Sequence, residues 1–506
     1  MLDGNAMSSA VPKIIPLNNS KHLVLKAKIH ERIERFLKKE QQIFDLVSAV
    51  GSPLNIMFPQ IIEENIAGFK KVYEDYDLTG RIYVSTKPNK SASVLRQASL
   101  QDVGIDVSSA GALKAALSAG FNPERIECTG PKNAEYLSLA IQQNAIINAD
   151  NIQELQHIVD IRAALFNKTK TRVFVRLSGF YSQRMKFTPH DSTFGIHVDD
   201  TQDVFAFLKQ YEAELDFQGF AFHFNSKVIE QKIIALENIL QKTIEAMEQG
   251  FNPKGVNIGG GFDIRYADDP AQWKEYIENI KQSLRNFGPS LTWNDGGLGF
   301  RYEDGIIKGA PAYLDHGIIN AGADELSSLL SLKLPSFKNM TVAEVISDCL
   351  LELYIEPGRA MFDQLGVTVG RVNHTKKSAH GENLVALDMN RSSINSSQQK
   401  LLTDPIIIYQ DENRQPCPDG LYYVGNLCLS YDMLSYNKTF PDFMPEEGDL
   451  VVFINTASYI MDFVESETLY QNLAEKVAIV EEDDKFKWFM DQTYNPLSGK
   501  LGKRII

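Results

Sequence analysis

From Ile82 onward, short apolar runs alternate with amphipathic stretches along the chain. The runs are "IYVST", "GIDVSS", "RIECTG", "AIINAD", "RVFVRL", "GFAFHF", "GVNIGG" and "LYIEPG". Several are separated by segments with apolar residues at helical spacing, such as "SAGALKAALSAGF" and "NIQELQHIVDIRAAL". Eight strands alternating with helices predict an α/β fold, a parallel (β/α)₈ barrel. Ahead of it, "HERIERFLKKEQQIFDLVSAVG" sets Ile33, Phe36, Leu37, Ile43 and Leu46 near one helical face, and Gly51-Ser52-Pro53 ends that helix.

The rhythm is interrupted once. Between "GVNIGGGFDIRY" and "LYIEPGR" lie about ninety residues, where a βα crossover needs about thirty. The excess, about 286–350, contains the aromatic and Gly-rich "TWNDGGLGFRYEDGIIKGAPAYLDHG" and is expected to be an insertion at or near the barrel mouth. After Gly366 the pattern becomes β-rich, with "GVTVGRVNHTKK", "NLVALDM", "DPIIIYQ", "LYYVGNLCLSYD" and "GDLVVFINTASY". The expected organisation is an N-terminal extension and helix (1–50), the barrel (51–365) and a mostly β domain (366–506).

Composition narrows the function. At 506 residues the chain exceeds one ordinary core, and its formal charge of −14 argues against a nucleic-acid surface. Cys128, Cys349, Cys417 and Cys428 show no CxxC pairing, which indicates neither a disulfide framework nor a metal site. No apolar run approaches the roughly 18 residues of a membrane span, and the N-terminus lacks the basic-then-apolar order of a secretion signal. A cytoplasmic protein with no membrane partner is the expectation.

Active sites of such barrels lie at the C-terminal ends of the strands. Those ends carry Lys87, Asp106, His223, the triplet Gly259-Gly260-Gly261, and Glu356-Pro357-Gly358-Arg359. Each has an ordinary reading: a solvated turn lysine, a core histidine, a glycine turn. Together they suggest pyridoxal phosphate. Glycines admit a phosphate to backbone N–H groups, and Arg359 adds charge-assisted hydrogen bonds. A carboxylate such as Glu356 would keep the pyridine nitrogen protonated, so that the ring draws electrons. His223 could stack on that ring, and Lys87 would carry the cofactor as an aldimine. Pro88 favours extended geometry at Lys87, as a strand end requires.

In these motifs the chain resembles the fold type III pyridoxal-phosphate decarboxylases, which include ornithine, diaminopimelate and carboxynorspermidine decarboxylases and have an alanine racemase-like barrel. The resemblance runs from roughly residue 50 to 470, outside the insertion. "STKPNKS" meets the family's lysine motif with Pro88 in place of Ala or Cys, and "GIDVSSAGAL" follows the second strand. "HFNS" matches His-x-Gly-Ser with Asn225 in place of Gly, which implies that Ser226 binds phosphate. "GGGF" and "EPGR" match unchanged. "VGNLCLSYD" and "NTASY" resemble the C-terminal motifs, implying that Cys428 enters a neighbouring subunit's site and that Tyr459 binds phosphate. The resemblance therefore implies a homodimer with shared sites that decarboxylates a small-molecule amino-acid substrate through the Lys87 aldimine and a quinonoid, with Cys428 returning a proton to Cα.

Two other readings stand beside it, a racemase and a non-catalytic cofactor-binding homologue. Glu356 favours decarboxylation over racemisation, because racemases of this fold place an arginine at the pyridine nitrogen. For the substrate, Asp432 and Arg359 are the candidate contacts. Leu429 occupies a position that is acidic in many ornithine and diaminopimelate enzymes. A diamino-acid or carboxy-polyamine class follows, with a bulkier conjugated substrate possible. Arg184 and Lys186 could meet an extra carboxylate.

Overall fold

Parallel strands that are apolar on both faces need cover on both, and the chain supplies it by closing them into a barrel wrapped in helices. The computed structural model describes residues 24–181, 192–224, 229–394, 400–411, 413–463 and 467–497. After a first strand, β1 (Leu54–Met57), the barrel strands are β2 (Gly80–Ser85), β3 (Gly104–Val107), β4 (Ile126–Cys128), β5 (Ile146–Ala149), β6 (Thr171–Ser178), β7 (Leu215–Ala221), β8 (Gly255–Asn257) and β9 (Glu352–Ile355). Each pairs in parallel with the next. The ring closes where β9 meets β2, with Leu353 opposite Gly80 and Ile355 opposite Ile82. All eight expected strands are present.

The single N-terminal helix is instead two, α1 (Glu31–Leu37) and α2 (Glu40–Val50). The break at Lys38-Lys39 re-phases two apolar stripes, so that Ile33, Phe36 and Leu37 are buried along with Ile43, Leu46 and Val47. The outer layer follows as α3 (Ile61–Asp75), α4 (Ala92–Ser99), α5 (Ala110–Ser118), α6 (Ala134–Gln142), α7 (Ile152–Ala164), α8 (Thr201–Gln210), α9 (Ile229–Glu248) and α10 (Pro270–Leu284). Five of these helices start from a side-chain cap: Ser91, Ser109, Asn133, Asn151 and Asp269 accept the N–H groups of Val94, Ala112, Tyr136, Glu154 and Ala271. Each such cap stabilises by about 1 kcal/mol and fixes where the strand-end loop stops.

The second sheet runs in the order β12 (Ile406–Ile408), β14 (Leu450–Ile454), β10 (Gly366–Lys377), β1, β15 (Glu475–Glu482) and β16 (Lys485–Met490). Strands β11 (Asn383–Leu387) and β13 (Leu421–Val424) extend it from β10. Residues 54–57, grouped with the barrel on sequence, belong here: β1 lies antiparallel to β10 and parallel to β15. A four-residue apolar run carries no mark of which sheet will take it.

Between β8 and β9, beyond α10, the extra residues form a hairpin (300–303 with 306–309) and then α11 (Ala323–Ser331) and α12 (Val342–Asp348). The stretch leading into that hairpin leans on the second domain. Trp293 packs edge-on to Tyr422 at 5.2 Å, and its N–H donates to Tyr436 O at 2.8 Å. One apolar cluster continues from the barrel helices through Phe362 and Leu365 into Val369 and Ile454, joining the two domains.

Candidate active site

The strand ends open on a cavity of about 700 Å³. Lys87, Asp106, His223, Gly261, Glu356, Gly358, Arg359 and Tyr459 all line it, with Arg176 and the rings of Phe180, Phe194, Phe222, Phe224, Phe262 and Phe463. Residues separated by hundreds of positions thus share one space because the barrel places every strand end on the same rim.

Lys87 follows β2 and is exposed to the cavity, whereas Pro88 and Asn89 are buried behind it. Asn89 donates to Ala457 O at 2.8 Å and accepts from Ser91 N at 2.8 Å. Tyr459 N donates to Pro88 O at 3.1 Å. The loop carrying the lysine is therefore held from beneath by the second domain, and the ammonium is left facing the cavity.

Three carboxyls crowd the floor. Asp106 accepts Ser85 Oγ at 2.8 Å and Thr129 Oγ1 at 2.5 Å, and burial raises it above the ordinary carboxylate range. Glu356 accepts Asn257 Nδ2 at 2.7 Å. Burial, reinforced by the Asp106 charge, pushes Glu356 up to about 8. Behind it Glu127 is fully buried and also raised, by burial first and by Glu356 and Asp106 next.

The His223 ring is turned towards the cavity, and its Nδ1 accepts Gly260 N at 3.1 Å, which fixes both ring and tautomer. Burial, with the positive charges of Arg176, Lys87 and Lys232, pulls it down to about 3, so the imidazole is neutral at ordinary pH. The triplet needs its glycines. A Cβ at Gly259, where φ is +66°, would lie 2.5 Å from Phe222 O, and one at Gly260 would strike Glu356 O. Arg359 Nη1 donates to Tyr266 Oη at 3.1 Å, and its guanidinium lies 5.1 Å from the Tyr459 ring centroid. A Cβ at Gly358 would sit 2.7 Å from Tyr459 Oη, so the absent side chain lets the tyrosine close in.

Other expected residues lie elsewhere. Cys428 is exposed and does not line the cavity of its own chain. Asp432 is buried, and its oxygens accept Arg391 N at 2.9 Å and Leu427 N at 2.8 Å. Its carboxylate shapes the turn that presents Cys428 and does not face the cavity. Ser226, Arg184 and Lys186 fall outside the described residues.

The structure also adds groups that the sequence reading passed over. Arg176 on β6 lines the cavity 4.8 Å from the Phe194 centroid. Lys232 on α9 is buried, donates to Gly261 O at 2.7 Å and pairs with Glu325 of α11. Glu325 also accepts Asp263 N at 3.0 Å, so the insertion itself braces the glycine loop. The signal for Glu127 was available, a charge between two apolar residues in a short strand; Arg176 shares its strand with Arg172, so its type alone did not single it out.

The lining fits pyridoxal phosphate: an accessible amine, a neutral imidazole face, a carboxyl with a raised pKa, and an arginine beside glycines that admit no side chain. The family model described as "Pyridoxal-dependent decarboxylase, pyridoxal binding domain" matches residues 60–303. A Sinorhizobium fredii protein, "Uncharacterized protein y4yA", is 29% identical over 450 residues, covering 87% of this chain and 90% of that one. The diaminopimelate decarboxylase of Bacillus methanolicus is 23% identical over 433 residues, covering 82% and 85%. Among solved structures, diaminopimelate decarboxylase from M. jannaschii in complex with L-lysine superposes with a TM-score of 0.65 at 18% identity, covering 92% and 94%.

Proposed function

We infer what this chain does from the family to which it belongs, the pyridoxal-dependent amino-acid decarboxylases: it removes the carboxylate of an amino acid, with pyridoxal phosphate as cofactor. The observation that carries the site assignment is the convergence of Lys87, His223, Glu356 and Arg359 on one cavity. Bound there, the cofactor supplies an aldehyde for an amine and a ring that accepts the electron pair left by the departing carboxylate. Lys87 is the amine that anchors it. Arg359, Tyr459 and the backbone at Gly261 and Gly358 hold the phosphate, Asp106 flanks the ring end, and His223 presents its flat neutral face. Glu356 holds a proton at the pyridine nitrogen. Ser226 is a further phosphate contact.

Cys428 is exposed and does not line its own cavity, which supports a homodimer in which it returns a proton to Cα at the neighbouring site. For the substrate we favour a diamino acid or carboxy-polyamine with a bulkier or carboxylated distal end. Leu429 offers no carboxylate to a distal ammonium, that of Asp432 is occupied by backbone N–H groups, and the cavity is walled by phenylalanines. Supplying the purified protein with pyridoxal phosphate and a panel of amino acids, and following carbon dioxide and product masses, tests the reading. Interconversion of D and L forms without carbon dioxide would make the chain a racemase.

A further inference from the structure

Glu127 lies on β4, inside the barrel, where its neighbours in sequence are apolar. Among the described residues it forms no ion pair. Its partners are amides, Asn148 Nδ2 at 3.0 Å and Asn257 Nδ2 at 2.9 and 3.0 Å. Asn257 is a hub. Its Nδ2 reaches both Glu127 and Glu356, and its Oδ1 accepts Gly259 N at 2.8 Å. The amide has only one workable orientation: turned over, it would set a donor against the Gly259 N–H and an oxygen against two carboxyls.

A buried carboxyl without a cation favours its neutral form. The surroundings can satisfy the resulting O–H. Asn148 Oδ1 is buried without a partner, on the same side chain whose Nδ2 reaches Glu127, and turning that amide over offers the acid an acceptor. The Tyr83 hydroxyl, another buried group without a partner, adds to the capacity nearby.

We propose that Glu127 is a positioning residue that acts through Asn257: as a neutral acid it locks the Asn257 amide, which sets Glu356 against the cofactor's pyridine nitrogen and, by holding Gly259, the glycine loop whose Gly261 lies at the phosphate end. This rests on the cofactor reading above. One amide thereby couples the two ends of the cofactor site, and Glu127 touches neither. The titratable groups facing Glu127 are Glu356, Asp106, Tyr83, Tyr354 and Cys128; those facing Glu356 include Asp106, Arg176 and Lys87.

The test compares Glu127→Gln with Glu127→Leu in the full chain, reading pyridoxal phosphate affinity, the pH midpoint of its bound absorbance, and cofactor-free melting. The Gln variant keeps an oxygen for Asn257 and should match the parent in affinity and midpoint. The Leu variant should bind cofactor about twofold to tenfold more weakly, the worth of a hydrogen bond between neutral groups, with a displaced midpoint. Its cofactor-free melting should fall by only a few degrees, since Asn257 Nδ2 keeps Glu356 as a partner and one buried amide donor, Asn148 Nδ2, is left unpaired. Parent-like affinity and midpoint in the Leu variant would overturn the proposal, as would a Gln variant equally impaired. Should Leu fail to fold, Glu127→Met takes its place, and failure of both would make Glu127 structural only. A parent chain that binds no pyridoxal phosphate would refute the cofactor reading instead.

Discussion

Asp491 Oδ1 lies 2.5 Å from Ser91 Oγ, joining the chain just after β16 to the loop that carries Lys87. The same buried carboxylate accepts Ser93 Oγ at 2.6 Å and Ala92 N at 2.7 Å, sitting where the N-terminus of α4 favours a negative charge. Asp491→Ala should lose about 2–4 kcal/mol of stability and speed amide exchange across 87–94. Denaturant melts and exchange followed by mass spectrometry check this; exchange there as slow as in the parent would show that the loop holds itself.

Lys87→Ala should fold but lose both the visible absorbance of bound cofactor and turnover, because no other lysine lines the cavity among the described residues. Borohydride reduction and peptide mapping locate the attachment. Cofactor on a peptide without Lys87 would refute the assignment.

Mixing an inactive Lys87→Ala chain with an inactive Cys428→Ala chain should restore part of the activity, since a hybrid dimer would hold one intact site. The measurement needs subunit exchange demonstrated in parallel. Exchange with no recovered turnover would mean that the sites are not shared.

Glu356 gives a pH dependence. Its folded value of about 8 lies above the ordinary 4.5, so between those values the cofactor-free folded chain holds a proton that the unfolded chain has released. Its contribution therefore weakens folding progressively as pH rises through that window. Glu356→Gln removes it, and the fall in melting temperature from pH about 5 to about 8 should shrink. An equal fall in both proteins would show that Glu356 is already ionised at the lower pH.

Free ornithine, lysine and meso-diaminopimelate should be poor substrates. Leaving a distal ammonium buried without a carboxylate costs several kcal/mol, and each roughly 1.4 kcal/mol is tenfold in rate. A kcat/KM of about 10⁴ M⁻¹s⁻¹ or more for any of them would contradict this.

The sequence by itself determined the barrel and its rim. Eight apolar runs between helical stretches fix strand number and direction, because local periodicity and a right-handed crossover leave few topologies. Strand-end position then made Lys87, Asp106, His223, the glycine triplet and Glu356–Arg359 legible as one set. Only the tertiary structure decided the remainder. It gave β1 to the second sheet, since a short apolar strand is placed by whichever edge can pair it. It turned Asp432 inward to backbone N–H groups, and an aspartate in a turn reads the same in sequence whether it serves the backbone or a substrate. It also brought Glu127 to Asn257 and Glu325 to Lys232, pairs separated by 130 and 93 positions. Partnership is set by what the closed barrel places opposite each side chain, and no local pattern along the chain encodes that.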